Sequence, residues 1–264
     1  KALIALSNVI NKPLPFIFPV YTTFNTVKMW AGLKIYDRLA KGSKMLASKK
    51  ISIEDSKLRV PWLKVNDVKS AFLYYDAVMD DKGIVIRIAN KARNNSAEIF
   101  SEEKVLDYTQ FSEYVRVKTN KRQIQCKTLI NVTGAWNKEL TTPSKGVHLI
   151  TNKLRSGTGT VLINPEDDRV FFTIPYNNQT IIGTTDDIYT GDPDKVRVEE
   201  SDRKYIIDAI NTFSIDKLML SDIVGEYAGL RPLVRSDEAV SKISRDFLIK
   251  QTDRIFSMAG GKYT

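Results

Sequence analysis

An apolar run that ends on two glycines, Ile255-Phe256-Ser257-Met258-Ala259-Gly260-Gly261, sets the strongest constraint on how this chain folds. The run reads as a buried strand. Adjacent glycines behind it permit φ > 0 and let the backbone approach another group closely. Lys262 and Thr264 then offer a charge and a hydroxyl at the same place. A strand that delivers bare backbone and polar groups to one point is suited to hold a phosphate or a polar ring. A plain strand turn has the same local sequence, so the rest of the chain must decide between the two.

The 264 residues are 42% apolar and 27% charged, which fits a folded chain with a sizeable core and not a disordered one. Cys126 is the only cysteine and His148 the only histidine. No intrachain disulfide can form, a reducing compartment is the simpler reading, and the usual zinc ligand set is missing; no metal is expected. The apolar stretch Pro13 to Tyr21 carries three prolines and is too short to span a bilayer. A net charge of +9 favours anionic partners: a phosphorylated metabolite, anionic lipid or nucleic acid. The basic residues are scattered, with short clusters at Lys49-Lys50 and Lys118 to Arg122 and no interleaved aromatics, so nucleic acid is not expected. Because the sequence opens on Lys1 and stops just after the glycine pair, we expect a piece of a longer protein.

Periodicity predicts helices over residues 26–47, 80–95 and 199–213, the first with apolar Val27, Trp30, Leu33, Leu39 and Leu46. Ala97 to Phe100 reads as a short strand. Val105 to Asp107, Tyr114 to Lys118 and Gln123 to Asn131 read as a meander. Further strands are predicted over residues 147–151, 160–164, 170–175 and 180–184, near 242–249 and over 254–259. Turns fall at Glu166-Asp167-Asp168 and Asn177-Asn178. Helices alternating with strands give an α/β class with α+β character. No G-x-G-x-x-G occurs in these residues; Ser156-Gly157-Thr158-Gly159-Thr160 lacks the third glycine.

Three segments carry chemistry. Ile182-Gly183-Thr184-Thr185-Asp186 ends a strand on two hydroxyls and a carboxylate, which suits a small polyol or acid, or an Asx-type turn satisfying its own backbone. In Tyr227-Ala228-Gly229-Leu230-Arg231-Pro232, glycine and proline fix the backbone around an arginine, the residue suited to bidentate carboxylate or phosphate recognition. Ser144-Lys145-Gly146-Val147-His148 holds the histidine, the side chain here whose ordinary pKa lies nearest neutrality.

Taken in order, Tyr74-Tyr75-Asp76-Ala77, Asn131-Val132-Thr133-Gly134-Ala135-Trp136, Ser144 to His148, Arg169 to Pro175, Ile182 to Asp186, Gly191-Asp192-Pro193, Gly229 to Pro232, Ser244-Arg245-Asp246 and Gly260 to Thr264 closely resemble the FAD-dependent glycerol-3-phosphate dehydrogenase family. That family lies within the D-amino-acid-oxidase-like flavoenzymes, and the resemblance runs from about residue 10 to the end. It implies a partial FAD-binding domain interleaved with a mixed β-sheet substrate domain. Residues 1–73 and 140–250 would be substrate-domain pieces, and 74–139 and 251–264 returns to the FAD domain. It also implies that a glycine-rich nucleotide unit precedes Lys1 and that a helical domain follows Thr264. The 264 residues alone would then be inactive. Departures are Tyr263 where leucine is usual, Val132 where alanine is usual and Tyr176 where tryptophan is common.

The resemblance implies oxidation of sn-glycerol 3-phosphate to dihydroxyacetone phosphate, with the hydride passing to FAD and electrons to a membrane quinone. The intact protein would sit on the cytoplasmic side, peripheral to the membrane, or at the mitochondrial inner membrane in a eukaryote. Alternatives are an oxidase using oxygen, an amine-oxidising relative and a non-catalytic module for anionic ligands. Arg231, Lys262 and Arg245 would hold the substrate, with Thr185 and Asp186 beside them. Gly260, Gly261, Lys262 and Thr264 would face the isoalloxazine or ribityl chain, Thr133 and Gly134 the pyrophosphate, and Val105 the adenine. His148 leads as base, Lys262 could take that role with a lowered pKa, and Asp186 is the third choice.

Overall fold

In the computed structural model, which describes residues 11–42, 46–236 and 246–261, the chain divides into two compact units. The first takes the described residues up to Ile88, then Val147–Thr185 and Val198–Tyr227. The second takes Ala89–Gly146, Asp186–Arg197 and the described residues from Ala228 onward.

The first unit is built around strand β1 (Asn11–Val20), antiparallel along its whole length to β3 (Ser70–Met79), whose other edge carries β2 (Lys49–Ile51). Pro13, Pro15 and Pro19 share one parity, so the missing N–H groups all fall on the edge away from β3. On that edge β9 (Gly159–Ile163) pairs with β1 only at Phe16 and Ile17, in parallel. Antiparallel β10 (Val170–Tyr176), β11 (Gln179–Gly183) and β8 (Thr141–Thr151) extend the sheet. Strand β13 (Ile223–Val234) also pairs with β8, and both strands contribute residues to each unit.

Helix α1 (Thr23–Leu39) starts where Thr22 Oγ1 accepts the Asn25 N–H at 3.2 Å. It docks through Leu33, which packs with Val20 and Phe72. A short helix α2 (Ile53–Arg59) and α3 (Asp81–Asn94) follow along the chain. Helix α4 (Glu200–Phe213) is capped by Asp202, whose carboxylate accepts the Glu199 N–H at 2.8 Å. Its buried residues Ile206, Ala209, Ile210 and Phe213 fall on one face at helical spacing and cover the sheet; Phe213 meets Phe171 at 5.8 Å between ring centroids.

In the second unit β4 (Val105–Gln110), β5 (Val115–Thr119) and β6 (Gln123–Cys126) form an antiparallel meander with Val115 and Val117 buried. Strands β14 (Phe247–Thr252) and β15 (Ile255–Gly260) make a hairpin, and β7 (Leu129–Asn131) lies parallel to β15. Short β12 (Asp187–Ile188) pairs with Lys145 and Ser144 of β8.

The mixed α/β class expected from the sequence is the one observed, with several local corrections. The first helix ends at Leu39, not 47, because Gly42 at φ +83 turns the chain out of it. Its Val27, Trp30 and Leu39, and Leu46 beyond it, are exposed, so the apolar periodicity there is not a core face. Ala97 to Phe100 joins no strand and is exposed, irregular chain after α3. The single strand expected over Gln123 to Asn131 is two strands in separate sheets, interrupted at Lys127-Thr128. Asp168, Asn177 and Asn178 take positive φ at the turns their residue types mark.

Helix α4 supplies the sharpest test of this packing. Ile210 is fully buried, so Ile210→Ala is expected to cost about 2–5 kcal/mol in urea denaturation. Leu39→Ala, at a side chain 77% exposed, should change stability by no more than about 0.5 kcal/mol.

Candidate functional site

Strand β8 brings His148 level with Gly183 of β11 in the antiparallel ladder. The imidazole occupies the space that a side chain at Gly183 would fill: a Cβ there would lie 2.5 Å from His148 Cδ2 and 2.8 Å from the Val147 carbonyl oxygen. Tyr227 of β13 stacks on the same ring, with centroids 4.8 Å apart and planes inclined by 14°. Burial raises the Tyr227 phenol above its ordinary pKa, and Asp81 and Tyr176 add to the effect. Thr185 is buried, and its Oγ1 accepts the Val147 N–H at 3.1 Å. The first unit thus holds an imidazole between a bare strand and an aromatic face.

The second unit holds the arginine in a similar way. A Cβ on Gly146 would come within 2.5 Å of Arg231 Nη2 and 2.7 Å of Cζ, so the guanidinium lies against bare β8 backbone. Arg231 Nη1 donates to Asp186 Oδ1 at 3.3 Å, and Ser144 Oγ donates to the same oxygen. The arrangement is a cation whose plane is set by a glycine and a carboxylate. It is suited to grip an anion from a fixed direction. Asp186 is thus engaged as the partner of Arg231.

The register pairs Ser257 of β15 with Asn131 of β7, so the parallel strands run out at the same end of their sheet. Gly260 (φ +74), the last residue of β15, and Gly134 (φ +59) and Gly261 (φ +82), beyond the strands, lie in the left-handed region. A Cβ on Gly260 would run into the Asp246 carbonyl oxygen, whereas at Gly134 and Gly261 the nearest atoms, on Pro232 and Phe247, are 3.8 and 3.7 Å away. Gly260 is therefore fixed by its own chain. Gly134 and Gly261 need glycine for backbone conformation, and a Cβ at either would make only ordinary van der Waals contact. Thr133 is tied locally, its N–H and Oγ1 both donating to Asn131 Oδ1 at 3.2 and 2.7 Å. Val105 opens β4 opposite Thr119 and is exposed. Arg245, Lys262 and Thr264 lie outside the described residues.

The sequence reading missed Gly146, Gly183 and Tyr227 as shaping residues. A glycine inside a strand pattern is a signal of close approach, and both glycines carry it. What they approach is set by strand pairings between distant segments. Gly183→Ala is expected to push His148 off its seat and to destabilise the protein by about 1–3 kcal/mol through overpacking, measured by denaturant unfolding together with the NMR position of the His148 ring.

Residues 12–263 match the family described as FAD dependent oxidoreductase. A glycerol-3-phosphate dehydrogenase of Pseudomonas tolaasii is 30% identical over 290 residues, covering 100% of this chain and 55% of that protein. An alpha-glycerophosphate oxidase of Streptococcus pyogenes is 30% identical over 87% of this chain and 42% of its own length. Among solved structures, the glycerol-3-phosphate dehydrogenase of Bacillus halodurans complexed with FAD superposes with a TM-score of 0.75 at 24% identity, covering 98% of this chain and 50% of that one. The chain spans about half the length of the curated relatives it matches. With nearly its whole length inside the family match, the chain belongs to the FAD-dependent oxidoreductase family.

Proposed function

We propose that the intact protein oxidises sn-glycerol 3-phosphate to dihydroxyacetone phosphate. The observation that carries this reading is the set of relatives named glycerol-3-phosphate dehydrogenase, which match along essentially the whole chain. The glycine-seated Arg231 supports it with a cation suited to a phosphate.

The residues present fit a flavin. β7 ends at Asn131 beside Ser257 of parallel β15, which runs on to Gly260, and Gly134 and Gly261 present left-handed backbone after these strands where a Cβ would meet neighbours only at ordinary van der Waals distance. In this reading Gly134 and Thr133 hold the pyrophosphate side, and Gly260 and Gly261, with Lys262 and Thr264, the ring and ribityl side. Val105 meets the adenine. When bound, FAD supplies the acceptor for the hydride leaving C2 of the substrate.

Arg231 would hold the substrate phosphate through charge-assisted bonds, with Asp186 fixing the guanidinium and Thr185 shaping the strand end. Arg245 and Lys262 would add positive charge there. His148 would accept the hydroxyl proton at C2. An imidazole kept in one orientation by Gly183 and Tyr227 is a better acceptor than one free to rotate. Lys262 would stabilise the developing alkoxide.

Electron transfer onward to a membrane quinone is part of the same proposal. The relative named as an oxidase makes oxygen the competing acceptor. A membrane-surface location belongs to the same proposal; on α1 the apolar Phe24, Val27, Ile35 and Leu39 are exposed, with the basic Lys28 and Arg38 set among them.

Adding glycerol 3-phosphate anaerobically to the full-length flavin-loaded protein should bleach the flavin band; bleaching by an amino acid instead would overturn the proposal. Arg231→Met should raise KM by roughly 10–100-fold, the equivalent of losing a charge-assisted bond of about 1.5–3 kcal/mol. His148→Asn should slow flavin reduction by about 10²–10⁴-fold. Peroxide release as fast as turnover on a quinone analogue would assign oxygen as the acceptor.

A further inference from the structure

We propose that Tyr227 is a positioning residue for His148, whose ring face holds the imidazole in plane and favours its protonated form. The proposal rests on the reading of His148 as proton acceptor, and adds the element that tunes it.

Three observations carry it. The rings lie 4.8 Å apart at 14°, close to parallel, so the π-face of the phenol is turned to the imidazole instead of its edge. Gly183 backs the imidazole closely enough that an added Cβ would meet both Cδ2 and Cγ, at 2.5 and 2.9 Å. A ring so confined has little room to rotate. Third, the strand that carries Tyr227 is anchored at the preceding residue: Arg203 of α4 donates to both carboxylate oxygens of Glu226, at 2.7 and 2.5 Å. That bidentate pair holds the Glu226 carboxyl below its ordinary pKa and fixes β13 beside the stack.

An aromatic face turned to an imidazole attracts the positive charge that appears when the imidazole takes a proton. Partial desolvation of the half-exposed Tyr227 ring, then Asp81 of α3 and Tyr176 of β10, raise the phenol above its ordinary pKa and keep it neutral. A neutral phenol cannot supply a full negative charge, so the stabilisation comes from the ring. Removing the ring lowers the His148 pKa: the base becomes weaker, and the acid limb of the rate profile moves to lower pH.

The test compares Tyr227→Leu, which keeps an apolar cover, with Tyr227→Phe, which keeps the ring, in the full-length flavin-loaded protein. His148→Asn identifies the His148 ring signal in the NMR spectrum by its disappearance. In Tyr227→Leu that signal should lose its ring-current displacement, and its titration midpoint should fall by about 0.4–1.5 pH units. Flavin reduction by glycerol 3-phosphate should slow roughly 3–30-fold with KM within about twofold, and the acid limb should follow the NMR midpoint. Tyr227→Phe should match the wild type within about twofold in rate and keep its midpoint.

An unmoved midpoint in Tyr227→Leu, or an equal fall in Tyr227→Phe, would overturn the proposal. So would an effect confined to KM. If the NMR midpoint shifts as expected while His148→Asn keeps the wild-type reduction rate, the stack tunes the imidazole but His148 is not the proton acceptor. The two failures therefore separate.

Discussion

A side chain can press close against the backbone of a neighbouring strand where the facing residue has no Cβ, and this constraint organises the chemistry-bearing part of the chain. Gly183 gives the His148 ring its place and Gly146 gives the Arg231 guanidinium its place. Strand β8 appears on both sides of the arrangement, as the seat in one case and the bearer of the ring in the other. Added methyl groups at these positions would meet imidazole carbons or guanidinium atoms at 2.5–2.9 Å, well inside van der Waals contact. Local backbone thereby takes over orienting work that rotamer preference alone does poorly for long, flexible side chains.

The polar groups around these seats follow from the same geometry. Asp186 receives both Ser144 and Arg231 on one carboxylate oxygen, which couples the strand end after Gly183 to the arginine. Thr185, one residue earlier, turns inward and takes the Val147 N–H. The run Thr185-Asp186, irregular chain between β11 and β12, is therefore divided between a buried structural bond and an ion pair. Its residue types alone do not show that division. They suggest a pair of substrate contacts of similar kind.

Much of the candidate site is legible as chemistry in the sequence. His148, Arg231, Gly134 and the pair Gly260-Gly261 announce themselves through residue type and local punctuation. The turns at Asp168 and at Asn177-Asn178 do the same. Strand β13 was not legible, because Gly225, Gly229 and Pro232 look like loop chemistry in a single sequence. Strands β1 and β3 were missed because proline masks one and the other shows no clean alternation. The partners of Gly146 and Gly183 depend on which strands lie side by side, and that is long-range information. In α1 the apolar pattern misled in the other direction, since only Leu33 is buried along that helix.

The prolines of β1 determine what an amide-exchange experiment on this sheet can see. Pro13, Pro15 and Pro19 contribute no exchangeable proton, and all three would have pointed to the β9 edge. From Leu14 to Val20, only Ile17 carries an amide on that edge; those of Leu14, Phe16, Phe18 and Val20 face β3. Slow exchange in β1 therefore reports the opening of the β1–β3 ladder almost alone. Separation of β1 from β9 would leave nearly every β1 probe silent, and its rate has to be read from the β9 side.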